Sequence, residues 1–131
     1  MEHETAAEWF QYAETDLAAA EYLQNMHPQP LNIICYHCHQ SVEKYLKGYL
    51  IANGVEQPFK THDLTLLCEM CYEYNDQFSE IKRACFALNR YSVQPRYPGE
   101  MEITANDMQK ALEYARIVRR FKLFNQFGIS Q

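Results

Sequence analysis

The sequence predicts an all-α protein, folded as an antiparallel up-and-down bundle of four to five helices. Apolar residues recur at steps of three and four along most of the chain, and prolines and glycines fall in short segments between these stretches. No stretch alternates apolar and polar residues as a half-buried strand does. Because 131 residues are enough for one hydrophobic core but not for two, we expect a single domain over residues 1–131.

The composition excludes several classes of protein. Hydrophobic residues at 47% exclude a disordered chain, and a mean hydropathy of -0.48 without a long apolar run excludes a membrane protein. A net charge of -5 argues against non-specific DNA binding, which needs an excess of Lys and Arg. The acidic N-terminus does not resemble a secretory signal, and five cysteines are an odd number. We therefore expect a cytoplasmic protein with free thiols.

Helix 1 is predicted from Thr5 to Met26 and opens with the Thr5-x-x-Glu8 spacing of a capping box. Its predicted apolar stripe consists of Trp9, Tyr12, Ala13, Ala20 and Leu23. Asp16 falls in the middle of this stripe, where an unpaired carboxylate would cost much free energy. We interpret Asp16 as a structural salt-bridge residue, with a functional role as the alternative.

Helix 2 is predicted from Leu31 to Asn53, because the prolines between His27 and Pro30 end helix 1 and Gly54 stands where a left-handed cap is usual. A step of 100° per residue places one apolar face on Cys35, Cys38, Val42, Tyr45, Leu46 and Tyr49. The roughly opposite face carries Gln40, Lys44 and Lys47. We expect the first face to pack and the second to be free to bind.

The second half of the chain predicts three more helices. Helix 3 begins at Thr61–Asp63 and continues to about Tyr74, with Leu64, Leu67, Cys68 and Cys71 on its buried side. Helix 4 ends near Ser92 and buries Phe78, Ile81, Cys85 and Leu88. A proline-rich loop over 93–103 leads to helix 5, which is capped by Thr104 or Asn106 and buries Met108, Leu112, Ala115 and Phe121.

Two Cys-x-x-Cys pairs, Cys35/Cys38 and Cys68/Cys71, have the spacing of half zinc sites, with His39 as an additional candidate ligand. Zinc pairs usually lie on tight turns, whereas these pairs fall within strongly periodic helices. Buried free cysteine behaves as a small apolar residue. We therefore interpret the cysteines as core residues, and we expect neither a metal nor a cofactor.

The charges are distributed unevenly along the chain. Seven acidic residues and no Lys or Arg precede Lys44, whereas residues 82–122 hold nine basic residues against four acidic ones. One side of the bundle could therefore be locally positive. The alternative is that these charges solvate helix faces, and that the late cluster only complements a helix C-terminus; it comprises Arg116, Arg119, Arg120 and Lys122.

Four groups of residues resemble the HEPN domain family in order and in spacing. They are Trp9, Ala13, Asp16 and Leu17 in helix 1, the stretch CHQSVEKYLKGYLIANG in helix 2, THDL at 61–64 and RYP at 96–98. The resemblance covers nearly the whole chain. It implies a compact HEPN-like helical bundle, commonly a homodimer, that binds nucleotides and is often encoded beside a minimal nucleotidyltransferase.

The resemblance also points to five polar positions as a nucleotide-binding site: Lys44, Lys47, His62, Arg96 and Tyr97. Lysine ammonium and arginine guanidinium groups suit phosphate oxygens, and a tyrosine ring could stack on a base. Structural alternatives remain open: the lysines solvate helix 2, His62 and Asp63 cap helix 3, and Arg96 pairs with Asp16.

Catalytic HEPN members are ribonucleases that use an arginine followed four to six residues later by a histidine. Here no histidine follows His62 and every arginine lies after it, so the chain cannot form that motif. We expect a non-catalytic protein that binds nucleotide or a minimal nucleotidyltransferase, within a toxin–antitoxin-like pair. One alternative is a ribonuclease or toxin whose site is assembled from His62, Arg96 and Asp16 at a dimer interface. Another is a structural dimerisation module, suggested by ten Tyr and seven Phe in a small bundle.

Overall fold

Helices account for all the regular structure in the computed structural model, which describes residues 5–56, 60–92 and 102–127. The α-helices in these ranges are α1 (Ala6–Tyr22), α2 (Leu31–Ala52), α3 (Leu64–Tyr72), α4 (Lys82–Leu88) and α5 (Ala105–Arg119). Short 3₁₀ helices accompany them at Leu23–Asn25, Asp76–Ile81, Asn89–Tyr91 and Lys122–Phe127. The predicted all-α bundle is confirmed. No helix in the described ranges is long and apolar enough to cross a membrane.

The helix boundaries follow the capping residues. Thr5 and Thr104 each form a reciprocal capping box, with Glu8 and Asp107 respectively. The side chain of Asp63 accepts the backbone N–H of Leu66 and so caps α3. These local hydrogen bonds confirm the predicted starts of helices 1, 3 and 5, and the two choices for helix 5 resolve to Thr104.

The α2 helix lies at the centre of the bundle, in contact with α1, α3, α4 and α5. Every residue of its predicted apolar face is buried. The prediction for the opposite face is wrong for Lys47, which is buried by neighbouring helices. From Ser41 to Leu50 only Lys44 keeps partial exposure, and Gln40 just before this segment is also partly exposed. Polar residues on α2 must therefore find partners inside the protein.

The buried stripe of α1 differs from the predicted one. Phe10, Ala13, Leu17 and Ala20 are buried, whereas Tyr12 is 49% exposed. The buried stripe of α1 thus passes through Phe10 and Leu17, and not through Trp9 and Tyr12 as predicted. Asp16 consequently lies at the edge of the contact with α2, where it can reach charged partners.

Aromatic rings from the first α-helix and from the last 3₁₀ helix pack together in the core. Phe124, in the last 3₁₀ helix, stacks on Tyr45 of α2 with ring centroids 5.2 Å apart. It also contacts Phe10 of α1 at 5.8 Å and Phe78 at 5.9 Å. The segment after α5 therefore closes the bundle against α1 and α2.

Candidate functional site

Lys47 forms a buried ion pair inside the bundle. Its side chain is 4% exposed, and Nζ donates a hydrogen bond of 2.8 Å to Oε2 of Glu43, one helical turn earlier. The ring of Trp9 also lies against the ammonium group, with Nζ 5.9 Å from the ring centroid. The expected exposure of Lys47 is therefore wrong. A phosphate could reach Lys47 only if these contacts opened, and its role in binding stays a prediction.

His62, in the segment before α3, contacts the same carboxylate. Its Nδ1 lies 3.1 and 3.0 Å from the two carboxylate oxygens of Glu43, while its side chain is 60% exposed. Since a carboxylate accepts hydrogen bonds, the contact favours a proton on Nδ1. His62 thus connects the buried pair of Glu43 and Lys47 to solvent.

His39 completes this group, which we call the Glu43 cluster (His39, Glu43, Lys47 and His62). Nε2 of His39 lies 3.0 Å from the carbonyl oxygen of His62, and because a carbonyl only accepts, Nε2 carries the proton. Nδ1 has no hydrogen-bond partner among the described residues. Burial lowers the pKa of His39 to about 4, so the ring is neutral at neutral pH.

Asp16 lies in a second charged group between α1 and α2. It accepts hydrogen bonds from Nζ of Lys44 and from Nδ1 of His37, the latter at 3.0 Å. Partial burial raises the pKa of Asp16, but the hydrogen bonds from His37 and Lys44 outweigh it, so that the pKa is lowered below its ordinary value. The carboxylate is therefore charged and paired in the folded protein. This geometry suits the salt-bridge interpretation of Asp16.

The described residues do not unite the five predicted ligand-binding residues in one site. Lys47 and His62 meet at Glu43, whereas Lys44 belongs to the separate pair with Asp16. Arg96 and Tyr97 lie outside the described residues.

A cleft between α1 and α5 brings together a group of charged residues that the sequence analysis did not propose as a site. The cleft has a volume of about 400 Å³, within the range of small-ligand sites. Leu17 and Ala18 line its apolar part. We call this the arginine cleft, after its charged residues Glu14, Glu21, Arg116, Arg119 and Arg120. The signal in the sequence is the late basic cluster, for which a locally positive side of the bundle and a complement to a helix C-terminus are both open interpretations.

Two of the three arginines are paired across the cleft. Arg119 forms a two-point contact with Glu14, from Nε at 2.8 Å and from Nη2 at 3.0 Å. Nε of Arg116 lies 3.1 Å from Oε1 of Glu21. Arg120 is exposed and makes no ion pair within the described part of the chain. Three guanidinium groups against two carboxylates leave one net positive charge in the arginine cleft.

Tyr45 fixes the carboxylate at the inner end of the arginine cleft. Its hydroxyl group donates a hydrogen bond to Oε2 of Glu14, which also accepts from Arg119. Burial, together with the Glu14 carboxylate, raises the pKa of Tyr45, so the hydroxyl stays protonated and remains a donor. The arginine cleft is therefore built against the core.

The cysteines of both Cys-x-x-Cys pairs are buried within α2 and α3 as free thiols. The thiol of Cys71 donates to the carbonyl oxygen of Leu46 at 3.5 Å. Within the described ranges, no group of three or more His, Cys, Asp or Glu side chains is placed to hold a metal ion.

Comparison with known proteins gives one family and one fold. The HEPN domain profile matches residues 6–125, which include all five α-helices. The crystal structure of an archaeal HEPN homologue is similar, with a TM-score of 0.69 and 22% identity, over 95% of this chain and 99% of that chain. At this identity the structural likeness shows the fold alone. No curated protein sequence matches significantly. Because the family profile spans nearly the whole chain, the protein belongs to the HEPN domain family.

Proposed function

We propose that this protein is a nucleotide-binding HEPN protein without ribonuclease activity, and that the arginine cleft is its nucleotide site. The observation that carries the proposal is the convergence of Arg116, Arg119 and Arg120 beside the apolar surface of Leu17 and Ala18. Guanidinium groups match the geometry of phosphate oxygens, and an apolar wall offers contact area for a base. Together these features suit a nucleotide better than a neutral ligand.

The charge balance favours the arginine cleft over the lysines of α2. The ammonium groups of Lys44 and Lys47 are each held by a carboxylate, and Lys47 is buried. Arg120, in contrast, is exposed and without an ion pair in the described ranges. A guanidinium has five N–H donors, and the contact between Arg116 and Glu21 uses only one of them. Donors therefore remain for a phosphate at the arginine cleft.

Calorimetric titration with ATP and GTP tests the proposal. We expect Arg120→Ala to weaken binding about tenfold or more, because a charge-assisted hydrogen bond contributes about 1.5–3 kcal/mol. Arg83→Ala removes another exposed arginine, on α4, and should leave the affinity unchanged. Lys44→Ala should also leave it unchanged.

Two results would contradict this assignment in different ways. If no nucleotide binds at millimolar concentration, the proposal of nucleotide binding is wrong. Binding that is weakened by Lys44→Ala or His62→Ala, but not by Arg120→Ala, moves the site to the five residues that the family resemblance singled out. Those residues include Arg96 and Tyr97, so Arg96→Ala separates that site from the arginine cleft.

The absence of ribonuclease activity is tested by incubating RNA with the metal-free protein. We expect no cleavage, because the chain lacks the arginine-to-histidine motif. Asp16 is already paired with Lys44 and His37, so we do not expect its carboxylate to act as a general base. Cleavage that is lost in His62→Ala would instead support the ribonuclease assembled at a dimer interface.

We further propose a homodimer that works with a minimal nucleotidyltransferase partner in a toxin–antitoxin-like pair. The rings of Tyr22 and Phe86 support the dimer, because both are largely exposed although much of the aromatic content is packed in the core. Sedimentation velocity should show a dimer, and a monomer at high concentration contradicts the proposal. If a gene for a minimal nucleotidyltransferase lies beside the gene for this protein, co-expression of the two should yield a complex that survives gel filtration.

A further inference from the structure

Cys68 is one of the residues that line a cavity in the bundle. This cavity lies between α3 and the segment that leads into α4, with a volume of about 320 Å³. Tyr72 and Phe78 give it a largely apolar wall, and Lys82 adds an ammonium group. The Cys68 residue is 4% exposed. A small molecule in the cavity would therefore lie next to Cys68.

A second thiol lies against the first from α4. Cys85 is fully buried on α4, which packs against α3, and it lies close enough to Cys68 for each thiol to shift the pKa of the other. The thiol of Cys68 donates to the carbonyl oxygen of Phe78 at 3.7 Å. The two cysteines come from different helices, so a bond between them would link α3 to α4. Cys71, on the same helix as Cys68, instead donates to the carbonyl oxygen of Leu46.

The charges around the pair favour the thiolate of Cys68. The hydrogen bond from Cys85 lowers the pKa of Cys68, and the ammonium group of Lys82 lowers it further, although burial and Glu69 oppose these effects. Burial raises the pKa of Cys35 to about 11 and also raises the pKa of Cys38 and Cys71. Since the thiolate is the nucleophile, reactivity should concentrate at Cys68.

We propose that Cys68 is a site of reversible thiol–disulfide exchange with a low-molecular-weight disulfide that enters this cavity, and that Cys85 is the resolving thiol. The Cys68 thiolate attacks one sulfur of the small disulfide, which forms a mixed disulfide and releases one small thiolate that takes up a proton. Cys85 then loses its proton to solvent and attacks the Cys68 sulfur. This forms the Cys68–Cys85 disulfide and releases the second small thiolate, which is also protonated. The protein is oxidised by two electrons and the small disulfide is reduced to two thiols.

The second step follows from the first. The hydrogen bond with Cys68 is the main cause that raises the pKa of Cys85. Once Cys68 is in a mixed disulfide, its sulfur no longer carries a negative charge, so Cys85 ionises more easily. The burial of Cys85 does not prevent this step, because the sulfur that it attacks is already its neighbour.

Intact-mass analysis of the native protein treated with 2-hydroxyethyl disulfide tests the proposal. Wild-type protein should lose two hydrogens and retain no adduct. Cys85→Ser should keep one mercaptoethanol adduct on Cys68, as located by peptide mapping. Cys68→Ser should stay unmodified over the same time. Cys35→Ser and Cys71→Ser are matched controls that each remove a buried thiol, and both should behave as wild type.

Each other outcome overturns a defined part of the proposal. Equal modification of Cys68→Ser and wild type shows that Cys68 is not the reactive thiol. A stable adduct on wild-type Cys68 shows that Cys85 does not resolve it. If Cys71→Ser keeps the adduct and Cys85→Ser does not, then Cys71 is the resolving thiol. Reaction that requires denaturant shows that the cavity does not admit the disulfide. Circular dichroism of each variant confirms that it is folded before these comparisons are made.

Discussion

At the scale of single residues, His39 makes stability depend on pH. Its pKa is lowered from an ordinary 6.5 to about 4 by burial, so the unfolded chain binds a proton at a pH at which the folded protein does not. The contribution of the neutral His39 ring to the free energy of unfolding is therefore present above pH 6.5 and is lost as the pH falls toward 4. Between pH 7 and pH 5 the free energy of unfolding should fall by about 2 kcal/mol through this group. Urea denaturation at both values measures it.

His39→Gln provides the control for that prediction. Glutamine keeps an N–H donor for the carbonyl oxygen of His62 but does not titrate, so the fall between pH 7 and pH 5 should be smaller by about the same amount. Asp16 does not interfere in this window. Its pKa is lowered, so its contribution is lost only as the pH falls below the ordinary value of 3.8. An unchanged pH dependence in His39→Gln would show that another group is responsible.

Removal of one partner of the Glu43–Lys47 pair should lower the free energy of unfolding much more than removal of both partners. Lys47→Met leaves Glu43 buried without its lysine partner, with the ring of His62 as a remaining hydrogen-bond partner, so we expect a loss of about 3–5 kcal/mol in the free energy of unfolding. The double variant Glu43→Leu/Lys47→Met removes both charges and should be far closer to wild type.

Lys44→Met is the matched single variant for this experiment. It removes a lysine of the same helix whose carboxylate partner, Asp16, is partly exposed and retains His37. We expect a loss of about 1 kcal/mol, in line with weaker exposed pairs. Urea unfolding midpoints with constant slope measure all three variants. A double variant as unstable as Lys47→Met would show that the charges are not what stabilises this part of α2.

Residues such as Lys47 also show what the sequence could not predict. Periodicity identifies the apolar face of a helix, and every residue assigned to that face of α2 is buried. It cannot show that a second helix covers the opposite face, because that depends on how distant segments pack. The spacing of four residues between Glu43 and Lys47 is visible in the sequence, but the burial of this pair follows from the neighbouring helices.

At the scale of helices, Gly48 sets how closely α1 approaches α2. A Cβ atom at this position would lie 3.1 Å from Cβ of Trp9 and 3.1 Å from Cζ of Phe10. The Trp9 Cβ atom is fixed by the backbone of α1, so the helices would have to separate. Overpacking of this kind costs about 1–3 kcal/mol, which should exceed the gain of about 1 kcal/mol in helix propensity. We expect Gly48→Ala to lower the Tm in a thermal melt.

Gly54 is the control, because its role depends on backbone conformation and not on space. Its φ is +87°, and an added Cβ would meet nothing within 4 Å. Gly54→Ala should cost about 1 kcal/mol, and Gly54→Asn should cost less, because asparagine tolerates the left-handed region better. At Gly48 the order should follow size, with valine worse than alanine. A Gly48→Ala variant that is more stable than wild type would show that α1 can move aside.

Helix starts were predictable from the sequence because capping is local. Thr5, Asp63 and Thr104 each bond to a backbone group three residues later, and that spacing is visible in the sequence. The prediction was poorer for α1, because its small alanines allow several stripes of similar hydrophobicity. Helix 4 was predicted as one helix, whereas the structure has a short α4 between two 3₁₀ helices. Only packing distinguishes these arrangements.

At the scale of the whole molecule, the acidic first part and the basic last part of the chain form ion pairs with each other, between α1 and α5. The acidic first part of the chain provides Glu14 and Glu21 on α1, and the basic last part provides Arg119 and Arg116 on α5. The sequence showed this segregation but not that α1 and α5 are neighbours. These contacts close the bundle between segments about a hundred residues apart, so they add no local structure and contribute only once the chain is folded.

Double-mutant cycles should show that the two pairs between α1 and α5 differ in strength. The Glu14–Arg119 contact is a two-point one, partly buried and supported by Tyr45, so Glu14→Gln and Arg119→Gln should couple by about 1 kcal/mol. The more exposed pair of Glu21 and Arg116 has one contact, and its coupling should be about 0.5 kcal/mol or less. Raising the salt concentration should weaken the exposed pair more, because buried charges are screened less. Equal couplings with equal salt dependence would show that these pairs act only as surface charges, and that the arginine cleft has no fixed inner end.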